Sequence, residues 1–132
     1  MNNFDHTTGF NKKADPLGDQ TFGLAVRIVR LCQHLSGQKQ EYIISKQLMR
    51  SGTSPGAMVR EAANAESGWD FIHKLGIAQK EIGETQYWLE LLYAKGYLSE
   101  SEFQSVYKDT VAVMKLLRSS ILTKKKKLSP KS

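Results

Sequence analysis

The sequence predicts an all-α fold: an up-down-up-down antiparallel four-helix bundle whose second helix is kinked near Pro55. Three observations predict it. Apolar residues recur at alternating steps of three and four along four segments; short polar or glycine-containing breaks separate those segments; and 132 residues contain only three prolines. No strand is needed to account for any stretch. Helices joined by such short connections pack as antiparallel neighbours.

Residues 1 to about 18 show no sustained period and mix Gly, Asn, Thr, Asp and Pro, so they read as a flexible N-terminal arm. The bundle is expected over residues 19–123 and a basic C-terminal tail over 124–132. The first helix comes from DQTFGLAVRIVRLCQHLSG, where Phe22, Ala25, Val29, Cys32 and Ser36 line one face and Gly37 suits the end. Cys32 is then most simply a small core residue.

The second helix comes from QEYIISKQLMRSGTSPGAMVREAANAES. Ile44, Leu48, Ser51, Pro55, Met58, Ala62 and Ala65 keep one helical phase on both sides of the GTSPG pentapeptide. Proline inside a helix removes one hydrogen bond and pushes on the carbonyl four residues back, here Ser51. The expectation is one long helix kinked near Ser51 to Pro55, or two collinear helices, with Ser51, Thr53 and Ser54 able to bond the freed backbone groups.

The third helix has the most regular stripe: Phe71, Leu75, Ala78, Ile82, Thr85, Leu89 and Leu92. Ser67 suits its N-cap, Asp70 is a shorter stand-in for the usual capping-box glutamate, and Gly96 suits its end. The fourth opens with a capping box at Ser99 and Glu102 and runs through Phe103, Val106, Thr110, Val113, Leu117 and Ser120 into the lysines. With a turn near Ser67, Arg50 lies opposite Glu84 and Glu61 opposite His73, so a structural ion pair is the first explanation for Arg50. Small residues on the second helix (Ser51, Ala62, Ala65), with Gly76 and Gly83 on the third, suit close helix approach, in the same subunit or a neighbouring one.

An apolar content of 40% with 24% charged residues fits a folded globular chain rather than a disordered one. No apolar run approaches the roughly 18 residues a membrane span needs. The polar start lacks the basic-then-apolar order of a signal peptide, and a lone cysteine cannot form an internal disulfide; a cytoplasmic protein is expected. The net charge of +6 is uneven: seven basic residues and no acid lie from Lys115 onward, so the remainder is close to neutral. Such a run is either a solvated tail or an arm for a polyanion.

GTSPG has the Gly-x-Ser-x-Gly spacing of a hydrolase nucleophile elbow. That elbow needs a preceding strand and a sheet, whereas YIISKQLMR is helix-phased, and Asp70 and His73 sit three apart on one helix. A di-iron bundle needs Glu-x-x-His motifs, and no glutamate here is followed three residues later by histidine. Phosphate-binding glycine motifs are absent as well. No enzyme activity, metal or cofactor is expected. Trp88, Tyr87, Tyr93 and Tyr97 could stack on bases, but aromatics at helical spacing beside Leu89 and Leu92 more simply pack in a core or subunit interface.

The stretch from Gln47 to Ser99 carries a multi-part pattern: Gln47, Leu48, Arg50 and Ser51; Ser54; Glu61; Ser67, Asp70 and Phe71; Ala78, Lys80, Glu81 and Glu84; then Tyr87, Trp88, Leu91 and Leu92. Over about residues 40 to 122 the chain resembles the four-helix-bundle proteins encoded within intervening sequences of bacterial large-subunit ribosomal RNA genes. It departs from their pattern at Met58, where many members carry asparagine. The resemblance implies the fold and a ring-like homo-oligomer, commonly a pentamer. A more distant relative of that fold assists diversity-generating reverse transcriptases and is taken to bind nucleic acid. Together with the tail charge this leads to the functional expectation: an oligomeric bundle binding RNA or DNA backbone through Lys115, Arg118, Lys124, Lys125, Lys126 and Lys127, with an oligomeric protein-interaction scaffold as the alternative. Under either reading Arg50, Ser51, Ser54, Glu61, Ser67, Asp70, Phe71, Glu81, Glu84, Tyr87 and Trp88 are structural or interface residues.

Overall fold

A computed structural model describes residues 14–129, which form four α-helices and no strand. Residues 1–13 of the expected arm, and Lys131 with its neighbours 130 and 132, lie outside the described residues.

Helix α1 (Pro16–Gly37) begins before the hydrophobic period does, and its first turn falls within the segment read as an arm. The Asp15 carboxylate accepts the Gly18 amide at 3.0 Å, and Pro16 occupies the first turn, where a missing N–H costs nothing. Its buried face is Thr21, Leu24, Ile28, Cys32 and Leu35. That face is rotated from the expected stripe: Phe22 is exposed, Ala25 and Val29 are half-buried, and only Cys32 belongs to both the expected stripe and the buried set. Apolar residues cover so much of this helix that two adjacent stripes are available. The buried one is completed by Thr21, whose hydroxyl donates to the Leu17 carbonyl at 2.8 Å and so enters the core satisfied.

Helix α2 (Ile44–Ala62) is one helix through Pro55, not two. Ile43, at the N-cap position, offers no side chain to the free amides. Glu41 does: its carboxylate accepts the backbone N–H groups of Ile43, Ile44 and Ser45 at 3.1, 2.9 and 2.7 Å. Thr53 donates back to the Met49 carbonyl at 2.7 Å and Ser51 to the Leu48 carbonyl at 3.5 Å, so neither hydroxyl reaches the Ser51 carbonyl that Pro55 frees.

Helix α3 (Gly68–Ala94) buries Leu75, Ala78, Ile82, Thr85, Leu89 and Leu92, the stripe read from sequence with Phe71 half-buried at its start. Ser67 caps it by accepting the Asp70 amide at 3.0 Å. Asp70 takes the Glu66 amide at 3.2 Å rather than completing a capping box with Ser67. At the other end Gly96 adopts φ +82°, where a side chain is strained, and this turns the chain toward α4.

Helix α4 (Glu100–Leu128) carries the expected capping box between Ser99 and Glu102. Its far end corrects the sequence reading: the lysines of the supposed tail belong to the helix. Beyond Leu117 and Ile121 the packed line continues through Lys124, whose ammonium lies 4.9 Å from the Phe71 ring centroid, to Leu128, which abuts Gly68.

Each helix packs on its sequence neighbours and α1 packs on α4, while the backbones of the diagonal pairs, α1 with α3 and α2 with α4, stay apart. Partners along consecutive helices run in inverse order. Thr21 sits by Gly56, Ile28 by Gly52, and Cys32 by Ser45; Glu61 pairs with Lys74 and Arg50 with Glu81; Lys124 meets Phe71 and Tyr107 meets Glu90. The enclosed core is aliphatic, with Leu24, Ile28, Leu35, Leu48, Leu75, Ile82, Leu89, Leu92, Val113 and Leu117 at 2% exposure or less.

Candidate functional site

Two regions hold the residues singled out from sequence. The first is the seam between α2 and α3. Arg50 donates to Glu81 at 3.0 Å and also to Glu84, a fork gripping two carboxylates one turn apart. These hydrogen bonds, Glu84 first and then Glu81, hold the guanidinium above its already high ordinary pKa. Behind Arg50, Thr85 hydrogen-bonds the Ser51 oxygen at 3.0 Å, and both side chains are fully buried. One helical stretch on, Glu61 pairs with Lys74 at 3.2 Å. His73, the expected partner, is exposed and one residue off that line.

The seam therefore joins Arg50, Ser51, Glu61, Glu81 and Glu84 by direct bonds that hold α2 to α3. Ser54 lies in the middle of α2, half-buried, with no hydrogen-bond partner among the described residues. No strand precedes it, Asp70 is occupied by a backbone amide and His73 points to solvent, so no oriented triad exists there. Among the described residues no group of His, Cys, Asp and Glu could hold a metal ion. Trp88 packs against the core with its indole N–H sealed from solvent and unpartnered, and Tyr87 meets its ring edge-on at 5.0 Å. Tyr93 stacks on Phe103 at 4.7 Å. Packing thus accounts for Trp88 and Tyr93; Tyr87 remains 57% exposed.

The second region is the C-terminal half of α4 with the first turn of α3. Lys115, Arg118, Lys125, Lys126 and Lys127 are exposed and make no ion pair among the described residues. Lys124 differs from the other tail lysines: it is half-buried on Phe71. Because α4 stays helical to Leu128, the charges are displayed on a rod rather than a loose tail. Their helical phase can be read from Tyr107, which faces α3 by donating to Glu90 at 2.9 Å. Arg118 and Lys125, 11 and 18 residues further on, return to the same side because about 3.6 residues make a turn. Trp69, 58% exposed, stands at this end between Gly68 and Phe71, both of which α4 touches.

Several participants were not foreseen. Glu41 lies ahead of its helix without a recognised capping pattern, Lys74 was passed over for His73, and Trp69 and Leu128 fell outside the stripes. The clue for Leu128 was available: 117, 121, 124 and 128 continue the four-three step, but the lysine run masks it. Away from both regions, Cys32 is buried and its thiol donates to the Ser45 carbonyl at 3.2 Å. Burial, reinforced by the nearby Glu41 charge, pushes its pKa up to about 12, which favours the protonated thiol. An open cleft between α1 and α4 is lined by Arg27, Arg30, Leu31 and Ser105, but Arg27 is already paired with Asp109 at 2.7 Å. No described helix is long and apolar enough to cross a membrane.

Comparison with known proteins agrees with the bundle. The chain is similar to a crystal structure from Bacteroides thetaiotaomicron VPI-5482, a protein of unknown function from the S23 ribosomal protein family. The two share 47% identity at a TM-score of 0.79, covering 80% of this chain and 97% of that one. No curated protein matches the chain. The 23S rRNA-intervening sequence protein family matches residues 18–119, which takes in nearly all of α1 and stops short of the lysine run. With its four helices, its α2–α3 seam of motif residues and this match, the chain belongs to the 23S rRNA-intervening sequence protein family.

Proposed function

We propose that the protein is a non-enzymatic homo-oligomer that binds RNA or DNA through the phosphate backbone, using the basic end of α4. The observation that carries this is the set of five exposed cations, Lys115, Arg118, Lys125, Lys126 and Lys127, without carboxylate partners among the described residues on an ordered helix. Carboxylates neutralise Arg27, Arg50 and Lys74 elsewhere, whereas Glu66 and Asp70, the acids nearest this end, pair with none of these five cations. Unpaired cations on one rod attract a polyanion and release its counterions on contact, giving salt-sensitive binding with little sequence preference. The family's name supports a setting rich in RNA.

The test is fluorescence anisotropy of labelled RNA and DNA with the intact protein and with a Lys125→Ala/Lys126→Ala/Lys127→Ala variant, across a salt series. Five phosphate contacts give a slope of log affinity on log salt of about −3.5 for a single strand, and the variant should flatten it by about 2. Affinity that ignores salt, or a variant that binds like the parent, refutes the reading. Substitution is preferred to truncation because Lys124 and Leu128 support the fold.

Support for the homo-oligomer comes from the outer face of α3. Gly76 and Gly83 meet nothing within 4 Å of where a side chain would begin, so packing inside the protomer does not explain two helix-weakening residues. Exposed Tyr87 lies on the same face, one turn beyond Gly83. The same observation favours the second reading, an oligomeric protein-interaction scaffold that binds no nucleic acid. Light scattering gives the subunit number, with a pentamer expected, and Gly83→Arg should lower it if a second copy covers this face.

A further inference from the structure

We infer that the nucleic acid held at this end is single-stranded and that Trp69 stacks on one of its bases. The inference rests on the proposed backbone binding and adds the class of strand and the residue that reads it. Two contacts fix the position of Trp69: Gly68, immediately before it, abuts Leu128, and Phe71, two residues after it, carries Lys124 over its ring. The indole is thus anchored next to the lysine-bearing turn of α4 yet remains 58% exposed. The exposed cations on the α3-facing side of α4 are Arg118 and Lys125, the latter next to Lys124. An exposed indole on the turn against which the basic end of α4 packs matches a polymer that alternates flat apolar faces with phosphates. A duplex presents the phosphates but keeps its base faces stacked inside, so only an unpaired strand can use Trp69.

The assignment separates the two aromatic clusters of α3. Trp88 and Tyr93 are engaged by Tyr87 and Phe103, whereas Trp69 has no ring partner among the described residues. Lys124 contributes indirectly: seated on Phe71, it fixes the end of α4 against the turn that presents Trp69. Lys124 is therefore a positioning residue for this surface.

The test compares the intact protein with Trp69→Ala and Trp69→Phe, each titrated with labelled uridine and thymidine oligonucleotides, a duplex of equal length, and inorganic polyphosphate. Loss of one base stack should weaken single-strand binding at least about fivefold in the alanine variant, with partial recovery in phenylalanine. Duplex and polyphosphate binding, and the salt slope, should not change. Trp69 and Trp88 are the only tryptophans, so the strand should quench emission in the parent and not in Trp69→Phe. The RNA and DNA arms tell which sugar is preferred. Equal single-strand affinity in parent and Trp69→Ala, with salt-sensitive binding retained, overturns the stacking while leaving the backbone reading intact. No binding of any polyanion by the parent overturns both. A Trp69→Ala variant of altered oligomer size by light scattering makes Trp69 a subunit contact and also overturns the inference.

Discussion

Gly52→Ala offers a sharp test of how α1 and α2 approach each other, because two effects of known sign compete there. Gly52 is buried in the middle of α2, and a β-carbon added to it would lie 2.7 and 2.8 Å from the two γ-carbons of Ile28 and 3.1 Å from its β-carbon. Those atoms are not the free end of a flexible chain: Ile28 is completely buried, and its β-branching leaves it few rotamers. Overpacking of this kind costs about 1–3 kcal/mol, while alanine in place of glycine in a helix gains about 1 kcal/mol. The net expectation is destabilisation by about 1 kcal/mol, or roughly 4 °C in Tm for a chain of this size. Gly23, on the outer face of α1 with nothing within 4 Å, is the control. Gly23→Ala should gain about 1 kcal/mol, so the two variants should move in opposite directions. Urea unfolding followed by circular dichroism measures both. A double-mutant cycle with Ile28→Ala, which removes both offending γ-carbons, should show favourable coupling of about 1 kcal/mol or more. If Gly52→Ala stabilises the protein as much as Gly23→Ala, the close approach of the two helices is refuted.

Three further predictions concern the start of α2, the buried thiol and the end of α4. Glu41→Ala should cost about 1–2 kcal/mol at neutral pH by urea unfolding, since it strips three backbone amides of their acceptor. Burial pushes the Glu41 carboxyl up, but the amides of Ile44, Ser45 and Ile43 outweigh it and hold the pKa below the ordinary range. A lowered folded-state pKa gives stability that is present above the unfolded value and lost on acidification, so parent and variant should converge as the pH falls below about 4.3. Cys32 should resist a thiol reagent at pH 8 in the folded protein and react only at the rate of unfolding; fast native labelling would contradict its burial. Truncation after Thr123 should lower Tm by a few degrees through loss of the Lys124 and Leu128 contacts, whereas alanines at 125–127 should leave stability within about 0.5 kcal/mol.

How much was legible in the sequence depended on how regularly the stripe repeats. In α3 the run Leu75, Ala78, Ile82, Thr85, Leu89 and Leu92 keeps its four-three step unbroken, and the stripe is read correctly although Ile72, Ile77, Trp88 and Leu91 lie off it. In α1 apolar residues occupy adjacent positions, Ile28 beside Val29 and Leu31 beside Cys32. The choice between stripes is then made by which neighbour packs, Gly52 against Ile28 for instance, and that information lies in another helix. The Arg50 to Glu84 pairing was foreseeable because it follows from turn position alone. Glu61 chose Lys74 over the adjacent His73 because neighbouring positions on a helix point about 100° apart, finer than a turn guessed to within a residue or two can resolve. The lysine run carried a composition signal strong enough to hide the helical period beneath it, and Leu128 and the helical display of the cations were missed together. In the α2–α3 seam the residues were visible from their pattern, while the bonds joining them required the structure.

The hydroxyls inside the bundle bear on a question that leucines leave open. Aliphatic side chains a heptad apart are nearly interchangeable, so one helix could slide past another by two turns and still meet a similar surface. Thr85 with Ser51, and Gln86 donating to Thr110 at 3.0 Å, each define a single vertical alignment, one for α2 on α3 and one for α3 on α4. Sliding either pair would break its interhelical hydrogen bond, at about 0.5–1.5 kcal/mol each, and leave the threonines only the carbonyls of their own helices. That penalty grows with every mismatched hydroxyl, whereas the aliphatic contacts would be nearly restored after each heptad. The polar pairs thus act as a vernier. They distinguish one setting of the helices from its near-degenerate neighbours, and through α3 they carry that setting from the ion pairs of the α2 seam to the height at which α4 presents its cations.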